Sequence, residues 1–138
     1  MTDLSPSVAE LNTLLAGAAF LDAYGFTVQA CAPGECSLRV PFSEHFERPG
    51  GVVSGLAIMG AADVAMWLAI MTRRGMEEIW VTSDMKTAFL RSGRREDLLC
   101  TARILKLGNR TAYGTAETLG GSSGLLAHHV LTYHKVIT

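Results

Sequence analysis

The longest apolar segment of the chain lies near its middle, and the other patterns are arranged around it. From residue 52 to residue 71 almost every position is apolar or small. A buried strand covers only about 4 to 8 residues, so a run of this length predicts a helix. Its apolar residues occupy every side rather than one stripe, which predicts a helix enclosed by the rest of its domain. Arg73, Arg74 and Gly75 then provide cations in the last turn and a terminating glycine.

Shorter amphipathic patterns precede this segment. Apolar residues recur at helical spacing over residues 7–24, after a serine that can act as the N-cap. Residues 26–30 and 36–40 alternate as strands do, and they predict a hairpin that turns at Pro33-Gly34. A polar loop over residues 41–51 then leads directly into the central helix.

Four alternating segments follow the central helix and predict strands joined as an antiparallel meander. They cover residues 79–90, 98–104, 111–119 and 125–137, with turn residues between them. In the first segment, strict alternation predicts that one face carries Val81, Ser83, Met85, Thr87 and Phe89.

The order of these elements favours an α+β class, with a curved antiparallel sheet wrapped around one long helix. We expect a single domain over residues 1–138, because a chain of this length has room for one hydrophobic core. One face of such a sheet remains apolar, which predicts self-association as a homodimer or homotetramer. A transmembrane helix is the alternative for residues 52–71, since about 20 apolar residues span a bilayer. Asp63 in mid-span and the strands that follow disfavour this alternative.

The composition disfavours several classes of protein. The formal net charge is −1 and the basic residues are dispersed, so no face that binds nucleic acid is predicted. Cys31, Cys36 and Cys100 match no zinc or thioredoxin spacing, which predicts free thiols in a reducing compartment and no metal site. Residues 1–6 lack the basic and apolar regions of a signal peptide, which predicts a cytoplasmic protein without a membrane partner.

The candidate chemistry begins with Asp63, the one ionisable residue inside the apolar segment. A carboxylate buried without partners is unfavourable, so such a residue usually belongs to a hydrogen-bond network or to a working site. Gly55 is expected to begin the helix, where backbone N–H groups have no partner within the helix.

A series of short motifs runs in order through residues 42–134. It comprises Ser54-Gly55-Leu56, Ala61-Ala62-Asp63, Val81-Thr82, Phe89-Leu90-Arg91-Ser92, Lys106-Leu107-Gly108-Asn109-Arg110 and Ala127-His128-His129-Val130-Leu131-Thr132-Tyr133. The series resembles the hotdog-fold, PaaI-like acyl-CoA thioesterases of the 4-hydroxybenzoyl-CoA thioesterase superfamily. The spacing from Ser54 to Asp63 equals that family's spacing from its His to its acid. Ser54 and Arg48 depart from the family, which usually has His and Asn at these positions.

The resemblance implies hydrolysis of an acyl-CoA thioester to a free acid and CoA. Asp63 is then the general base or the nucleophile, and the Gly55 N–H is the oxyanion donor. Ser54 either caps the helix or bonds the carbonyl or water in place of the family's His. The resemblance also implies that the N-terminal end of this helix meets the partner subunit, and three polar strand residues are candidates to complete the site from there: Thr82, Ser83 and Asp84.

The positions implied for substrate binding are Arg48, Gly51, Thr82, Ser83, Arg91, Gly108, Asn109 and Arg110. CoA phosphates need cations and turn amides, which suits the last four of these positions. For Arg48, a contact with a loop carboxylate such as that of Glu47 is favoured over a direct contact with substrate, and the identity of its acidic partner stays open. His128 and His129 are interpreted as structural, and no cofactor is implied beyond the CoA of the substrate.

Two other functions remain open at this point. The first is a non-catalytic protein that binds acyl-CoA or an acyl carrier, which the departures at Arg48 and Ser54 would permit. The second is a dehydratase of 3-hydroxyacyl thioesters, although such enzymes usually pair a His with the acid and Ser54 removes the obvious candidate.

Overall fold

The computed structural model describes residues 5–137, so residues 1–4, which entered the signal-peptide argument, lie outside it. Two α-helices and eight β-strands form in the described range. They are α1 (Val8–Gly17), β1 (Thr27–Ala32), β2 (Glu35–Val40), β3 (Glu47–Arg48), β4 (Val52–Val53), α2 (Gly55–Arg74), β5 (Trp80–Phe89), β6 (Leu98–Leu107), β7 (Thr111–Gly120) and β8 (Gly124–Lys135). Short 3₁₀ turns form at Ala19–Leu21 and Glu44–Phe46.

Six of the strands form one antiparallel sheet in the order β1-β2-β6-β7-β8-β5. The two-residue strands β3 and β4 make a separate small ladder just before α2. α2 packs against all six strands of the main sheet. This arrangement confirms the predicted α+β class and the hotdog architecture of a sheet around one long helix.

The burial of α2 follows from its small and apolar residues. Ala61, Ala62, Ala65 and Ala69 are fully buried, and short side chains let the helix approach the sheet closely. Gly114 in β7 marks the tightest approach, because a Cβ atom there would lie 2.6 Å from the Met66 methyl group and 2.3 Å from a carbonyl oxygen of β6. The helix also ends as predicted, at Arg74, where Gly75 adopts a φ of +84° and donates its N–H to the Met71 carbonyl.

The first helix is shorter than the predicted span of residues 7–24. Its start is capped by Ser7, whose hydroxyl accepts from the Glu10 N–H while the Glu10 carboxylate accepts from the Ser7 N–H. It ends at Gly17 because Ala18 adopts an extended conformation and donates its N–H to the Leu15 carbonyl. Apolar residues of the predicted pattern also lie in the following 3₁₀ turn, Ala19–Leu21. The helical spacing of apolar residues therefore extends beyond the residues that form the α-helix.

The predicted four-strand meander is wrong. β6, β7 and β8 do form a meander, but β5 pairs with β8 and lies at the sheet edge farthest from β1. The segment that follows β5 does not form a hairpin in which the next strand, β6, pairs with β5. The N–H groups of Leu90 and Arg91 bond to the Leu126 carbonyl, and the Gly93 carbonyl accepts from Val53, which ties this connection to the entry of α2.

The strict alternation predicted along β5 is also wrong. The pairing of β5 with β8 shifts between Thr82 and Asp84, so Ser83 is the extra residue of a β-bulge. Before the bulge the inward-facing residues are therefore the reverse of those predicted, whereas Met85, Thr87 and Phe89 beyond it share the predicted face. Thr82 reaches Asp63 on the helix and Trp80 is buried, whereas Val81 is exposed.

The length and apolarity of α2 would suffice to span a membrane. However, 67% of its most apolar 18-residue stretch is buried inside the protein. Burial of this kind is typical of the core helix of a soluble protein, and it argues against the transmembrane alternative.

Candidate active site

The N-terminus of α2 presents one free backbone donor. Ser54 is the N-cap, which is one of the two roles predicted for it. Its hydroxyl accepts from the Leu56 N–H at 3.1 Å. The N–H groups of Ala57 and Ile58 both point to the Ser54 carbonyl, at 3.2 and 3.4 Å. Among the first four amides of the helix, therefore, only the Gly55 N–H has no acceptor within the described chain.

Phe89, the last residue of β5, stands against this helix start. A Cβ atom built on Gly55 would lie 3.1 Å from the Phe89 ring, so the ring would have to shift slightly to admit a larger residue. Phe89 is itself about half exposed, at 52%. The free amide and the aromatic ring together form the helix mouth, a name we use below for Ser54, Gly55 and Phe89.

Asp63 lies two turns further along α2 and is held by two hydroxyl groups. The Thr82 hydroxyl donates to Asp63 Oδ1 at 2.5 Å, and the Tyr133 hydroxyl donates to the same oxygen at 2.6 Å. The Tyr133 hydroxyl also lies 2.6 Å from the main-chain carbonyl of Asp63. No described residue donates to Oδ2, which leaves that oxygen available to a water molecule or a substrate. Asp63 is partly buried rather than fully enclosed.

Tyr133 keeps its proton in this environment. Burial raises the pKa of Tyr133 well above its ordinary value, and the neighbouring charge of Asp63 raises it further. Only 3% of Tyr133 is exposed to solvent. A hydroxyl that stays protonated acts as a donor at all physiological pH values, so it keeps Oδ1 occupied and orients the carboxylate.

Asp63 lies on the wall of an apolar cavity of about 530 Å³. The cavity runs from Asp63 toward the C-terminal end of α2 and is bounded by α1, by the 3₁₀ turn after it and by the start of β5. Its apolar wall consists of Leu14, Phe20, Val64, Trp67, Met71, Met76, Ile79, Trp80 and Val81, and its ionisable lining residues are Asp63, Glu77, Glu78 and Tyr133. No Lys, Arg or His of the described chain lines it. Hydrogen bonds from Lys135 and Arg74 lower the pKa of Glu78 to about 2, so Glu78 is ionised and these two cations balance its charge.

The two central elements of the candidate site are far apart within one chain. Asp63 lies eight positions after Gly55 in the helix, which corresponds to about 12 Å along the axis at a rise of about 1.5 Å per residue. A reacting atom must lie within about 3 Å of both the attacking group and the oxyanion donor. One chain alone therefore does not bring the Gly55 N–H and the Asp63 carboxylate to a common substrate atom.

The predicted partner of Arg48 is wrong. The Glu47 carboxylate instead accepts from Arg95, at 2.7 Å from Nε and 3.0 Å from a terminal nitrogen. Arg48 is exposed on β3, with no ion pair in the described chain, and Gly51 donates its N–H to the Arg48 carbonyl in a tight turn where its φ is +75°. Both residues lie near the helix mouth, because the Ser54 N–H bonds to the Phe46 carbonyl at 2.6 Å.

Of the three polar residues predicted on the strand, only Thr82 contacts Asp63. Ser83 lies on the bulge and donates its hydroxyl to the Thr132 carbonyl at 3.2 Å. Asp84 is exposed beyond the bulge. All three residues lie on the edge strand of the sheet, which is unpaired on its outer side in a single chain.

The positions predicted to bind CoA phosphates do not form one cluster. The turn Gly108-Asn109-Arg110 lies at the C-terminal end of α2, where Arg74 donates to the Gly108 carbonyl at 3.0 Å. Asn109 and Arg110 line a cleft there together with Arg74 and Lys135. Arg91 follows the other end of β5, some nine residues or about 30 Å away along the strand direction, and donates to the Ser123 carbonyl. A single phosphate group cannot contact both sites in one chain.

The two adjacent histidines differ in environment. His129 is fully buried and its ring nitrogens lie 2.8 Å from the Thr87 hydroxyl and 2.9 Å from the Thr118 hydroxyl. Burial lowers the pKa of His129 to about 4, and the neighbouring His128 contributes to the shift. A neutral imidazole between two hydroxyls fits the predicted structural role.

Within residues 5–137, no three His, Cys, Asp or Glu side chains are grouped as metal ligands.

Tyr133 is the site residue that the sequence did not single out. It appeared only as the last member of a strand motif, and nothing local distinguished it from other buried aromatic residues. Its contact with Asp63 joins positions 70 residues apart in the chain. The hydroxyls of Thr82 and Tyr133 meet at Oδ1 because β5 and β8 are neighbours in the sheet, which no local pattern indicates.

Comparison with known proteins gives a consistent result. A family model described as the thioesterase superfamily matches residues 50–127. The crystal structure of zebrafish thioesterase superfamily member 2 is similar with a TM-score of 0.81 and 25% identity, covering 97% of this chain and 99% of that chain. The Escherichia coli PaaI protein from the phenylacetic acid degradation operon has a TM-score of 0.82 at 19% identity over 94% of each chain, which shows the fold alone. A protein of Thermoplasma acidophilum, provisionally named an esterase, is 26% identical over 125 residues, or 91% of this chain and 94% of the relative.

Proposed function

The chain belongs to the thioesterase superfamily, and we propose that it hydrolyses an acyl-CoA thioester to a free acid and CoA. The observation that carries this proposal is the state of Asp63. Two hydroxyls hold Oδ1, no described donor occupies Oδ2, and the residue lies on the wall of an apolar cavity. An oriented carboxylate beside an apolar cavity is suited to activate water next to a bound acyl group.

In the proposed reaction, Asp63 acts as a general base. Its Oδ2 takes a proton from a water molecule as the water oxygen attacks the thioester carbonyl carbon. The carbonyl oxygen becomes an oxyanion, which the Gly55 N–H stabilises at the positive end of the α2 dipole. The carbon–sulfur bond then breaks, and the CoA thiolate leaves and takes up a proton. The alternative is direct attack by Asp63, which would form an anhydride that water later hydrolyses. The reaction needs no cofactor besides the CoA of the substrate.

The reaction requires two subunits, because Gly55 and Asp63 of one chain are about 12 Å apart along α2. We assign the oxyanion donor to Gly55 of one subunit and the base to Asp63 of the other. The outer edge of β5 supports such a homodimer, since it is an unpaired strand ten residues long. Apolar side chains exposed beside it provide surface for the partner: Leu56, Ile79, Val81, Phe89 and Leu90.

The cavity favours an uncharged, apolar acyl group. Its wall carries the indole rings of Trp67 and Trp80, and the Phe20 ring lies 6.2 Å from the Trp67 ring. Asp63 and Glu77 line it without a cationic partner in the described chain, so an acyl group with its own carboxylate would be repelled there. Aromatic and medium-length aliphatic acyl groups are therefore the preferred substrates in this proposal.

The CoA carrier would bind outside this cavity, since its phosphates need cations. The cleft lined by Arg74, Asn109, Arg110 and Lys135 offers them, and Arg110 makes no ion pair in the described chain. Arg91 offers a second position near the helix mouth. An Arg110→Ala variant that raises KM for acyl-CoA, with an unchanged KM in Arg91→Ala, would favour the cleft.

The first experiment measures release of free thiol from short, medium, long, phenylacetyl and dicarboxylic acyl-CoA substrates. General base catalysis typically contributes about 10² to 10⁴ in rate, so Asp63→Asn should lose at least a hundredfold in kcat. Asp22→Asn is the matched control, because Asp22 is an exposed aspartate outside the site and should keep wild-type activity. Full turnover by Asp63→Asn would end the proposal.

Each of the two other functions would give a distinct experimental result. Wild-type protein that binds acyl-CoA tightly without releasing thiol from any substrate would be a non-catalytic binding protein. Hydration of an enoyl thioester, followed by its absorbance, would instead identify the hydratase class.

A further inference from the structure

Cys31 and Cys36 face each other across the hairpin of β1 and β2. They are direct partners in the strand register, and their sulfur atoms lie 2.6 Å apart. Ala32 and Glu35 are the residue pair that flanks the turn at Pro33-Gly34, and the cysteines are the next pair along the two strands. Directly opposed residues of an antiparallel pair have Cα atoms about 4.5 to 5.5 Å apart. That separation lies within the range in which a disulfide forms without moving the backbone.

The two thiols differ in a way that suits stepwise oxidation. Cys31 is partly exposed, whereas Cys36 is fully buried. A hydrogen bond from the Cys36 thiol lowers the pKa of Cys31, and the Ser37 N–H contributes to the same shift. The same contact and burial raise the pKa of Cys36. Cys31 is thus the thiol that an oxidant can reach and that ionises more readily.

Cys100, the third cysteine, serves as an internal reference for the oxidation of the other two. Cys100 in β6 is fully buried and pairs in register with Leu38, not with either of the other cysteines. Burial raises the pKa of Cys100 to about 12. It should therefore stay reduced under conditions that oxidise an exposed, more acidic thiol.

We propose that Cys31 and Cys36 form a redox-active dithiol that hydrogen peroxide converts to an intrachain disulfide. The Cys31 thiolate attacks one peroxide oxygen, the O–O bond breaks, and Cys31 sulfenic acid and hydroxide form. Cys36 then attacks the Cys31 sulfur, and its thiol proton and the sulfenic hydroxyl leave as water. Peroxide is reduced by two electrons and the dithiol is oxidised by two electrons, so the step balances. An added dithiol reverses it by thiol–disulfide exchange.

The position of the pair predicts the effect of the disulfide. The hairpin lies at the sheet edge opposite β5, so three strands, β6, β7 and β8, stand between it and the strand that holds Thr82. Its turn is fixed to the end of α2, because the Gly34 N–H donates to the Thr72 hydroxyl at 2.8 Å. The crosslink should raise the thermal midpoint of unfolding by stiffening this edge, and it should leave the thiol-release activity unchanged. The proposal is thus independent of the proposed thioesterase function.

The test treats the native protein with hydrogen peroxide, then denatures it and alkylates all free thiols with N-ethylmaleimide. Beside the mass of the one maleimide added at Cys100, the intact protein should be lighter by about 2 Da for the two thiol hydrogens lost. Peptide mapping with cleavage after Glu35, which lies between the two cysteines, should give two peptides joined through Cys31 and Cys36. Dithiothreitol should restore three alkylated cysteines. Cys100→Ala should form the same linked peptide, and Cys31→Ser should form no crosslink.

Three results would overturn the proposal. One is a protein that retains three alkylated cysteines after peroxide treatment. Another is sulfinic acid at Cys31 without a crosslink, and the third is a disulfide between two chains. Far-UV circular dichroism of each variant separates these results from misfolding, and Cys31→Ser is the conservative choice because Cys31 is the less buried of the pair.

Discussion

Replacement of Gly55 by proline would remove the proposed oxyanion donor without removing the helix. Gly55 is the first residue of α2, a position where proline is favoured and where its missing N–H breaks no hydrogen bond. Ser54 already has φ −61° and ψ 137°, which is the conformation that a following proline requires. Loss of one oxyanion donor typically raises the barrier by about 2.7 to 4 kcal/mol, so kcat should fall about 10² to 10³-fold.

Gly55→Ala is the matched control for this prediction. Alanine keeps the N–H and adds a Cβ atom at 3.1 Å from the Phe89 ring, so it reproduces the closest steric contact of the change without the loss of the donor. Thiol release from the best acyl-CoA substrate gives kcat for both variants, and the thermal midpoint of unfolding shows that both are folded. We expect kcat of the alanine variant to stay within about tenfold of wild type, with the large loss confined to proline. A folded Gly55→Pro variant with the kcat of Gly55→Ala would refute the role of this amide.

Two further predictions concern Tyr133 and His129. Tyr133→Phe removes one of the two donors to Asp63 Oδ1, and the hydrogen bond to a charged group should be worth about 1.5 to 3 kcal/mol. We therefore expect a lower kcat at nearly unchanged KM in the thiol-release assay, and a variant in which only KM changed would contradict the positioning role. The pKa of His129 falls from 6.5 to about 4 on folding, so the unfolded chain binds this proton more readily between those pH values. The free energy of unfolding should then decline as the pH falls from 6.5 to about 4, by at most about 3.5 kcal/mol at about 1.4 kcal/mol per pKa unit, and His129→Gln should lack this decline in urea titrations.

Local signals in the sequence were sufficient for the central helix and for the acid within it. The start at Gly55, the serine cap and the end at Arg74 all follow from residues that are neighbours in the chain. The hairpin of β1 and β2 also forms around the predicted turn. Periodicity and capping are properties of short segments, so the sequence reports them directly.

The features that depend on distant residues were not predicted. The edge position of β5 depends on its pairing with β8, and the bulge at Ser83 changed which face of β5 meets α2. The Glu47 carboxylate pairs with Arg95, 48 residues away, rather than with the adjacent arginine. Such contacts are set by how strands assemble, and a one-residue bulge is enough to reverse the face on which a side chain lies.

The most direct test of the account uses hybrid dimers made from two inactive variants. Gly55→Pro and Asp63→Asn chains with different affinity tags are mixed by refolding, and the dimers that carry both tags are isolated. If Gly55 of one subunit serves Asp63 of the other, each hybrid contains one intact site and one doubly defective site. Thiol release should then recover to about half of the wild-type rate per dimer. Hybrid dimers no more active than either parent variant, or a wild-type protein that is active as a monomer, would contradict a site shared between subunits.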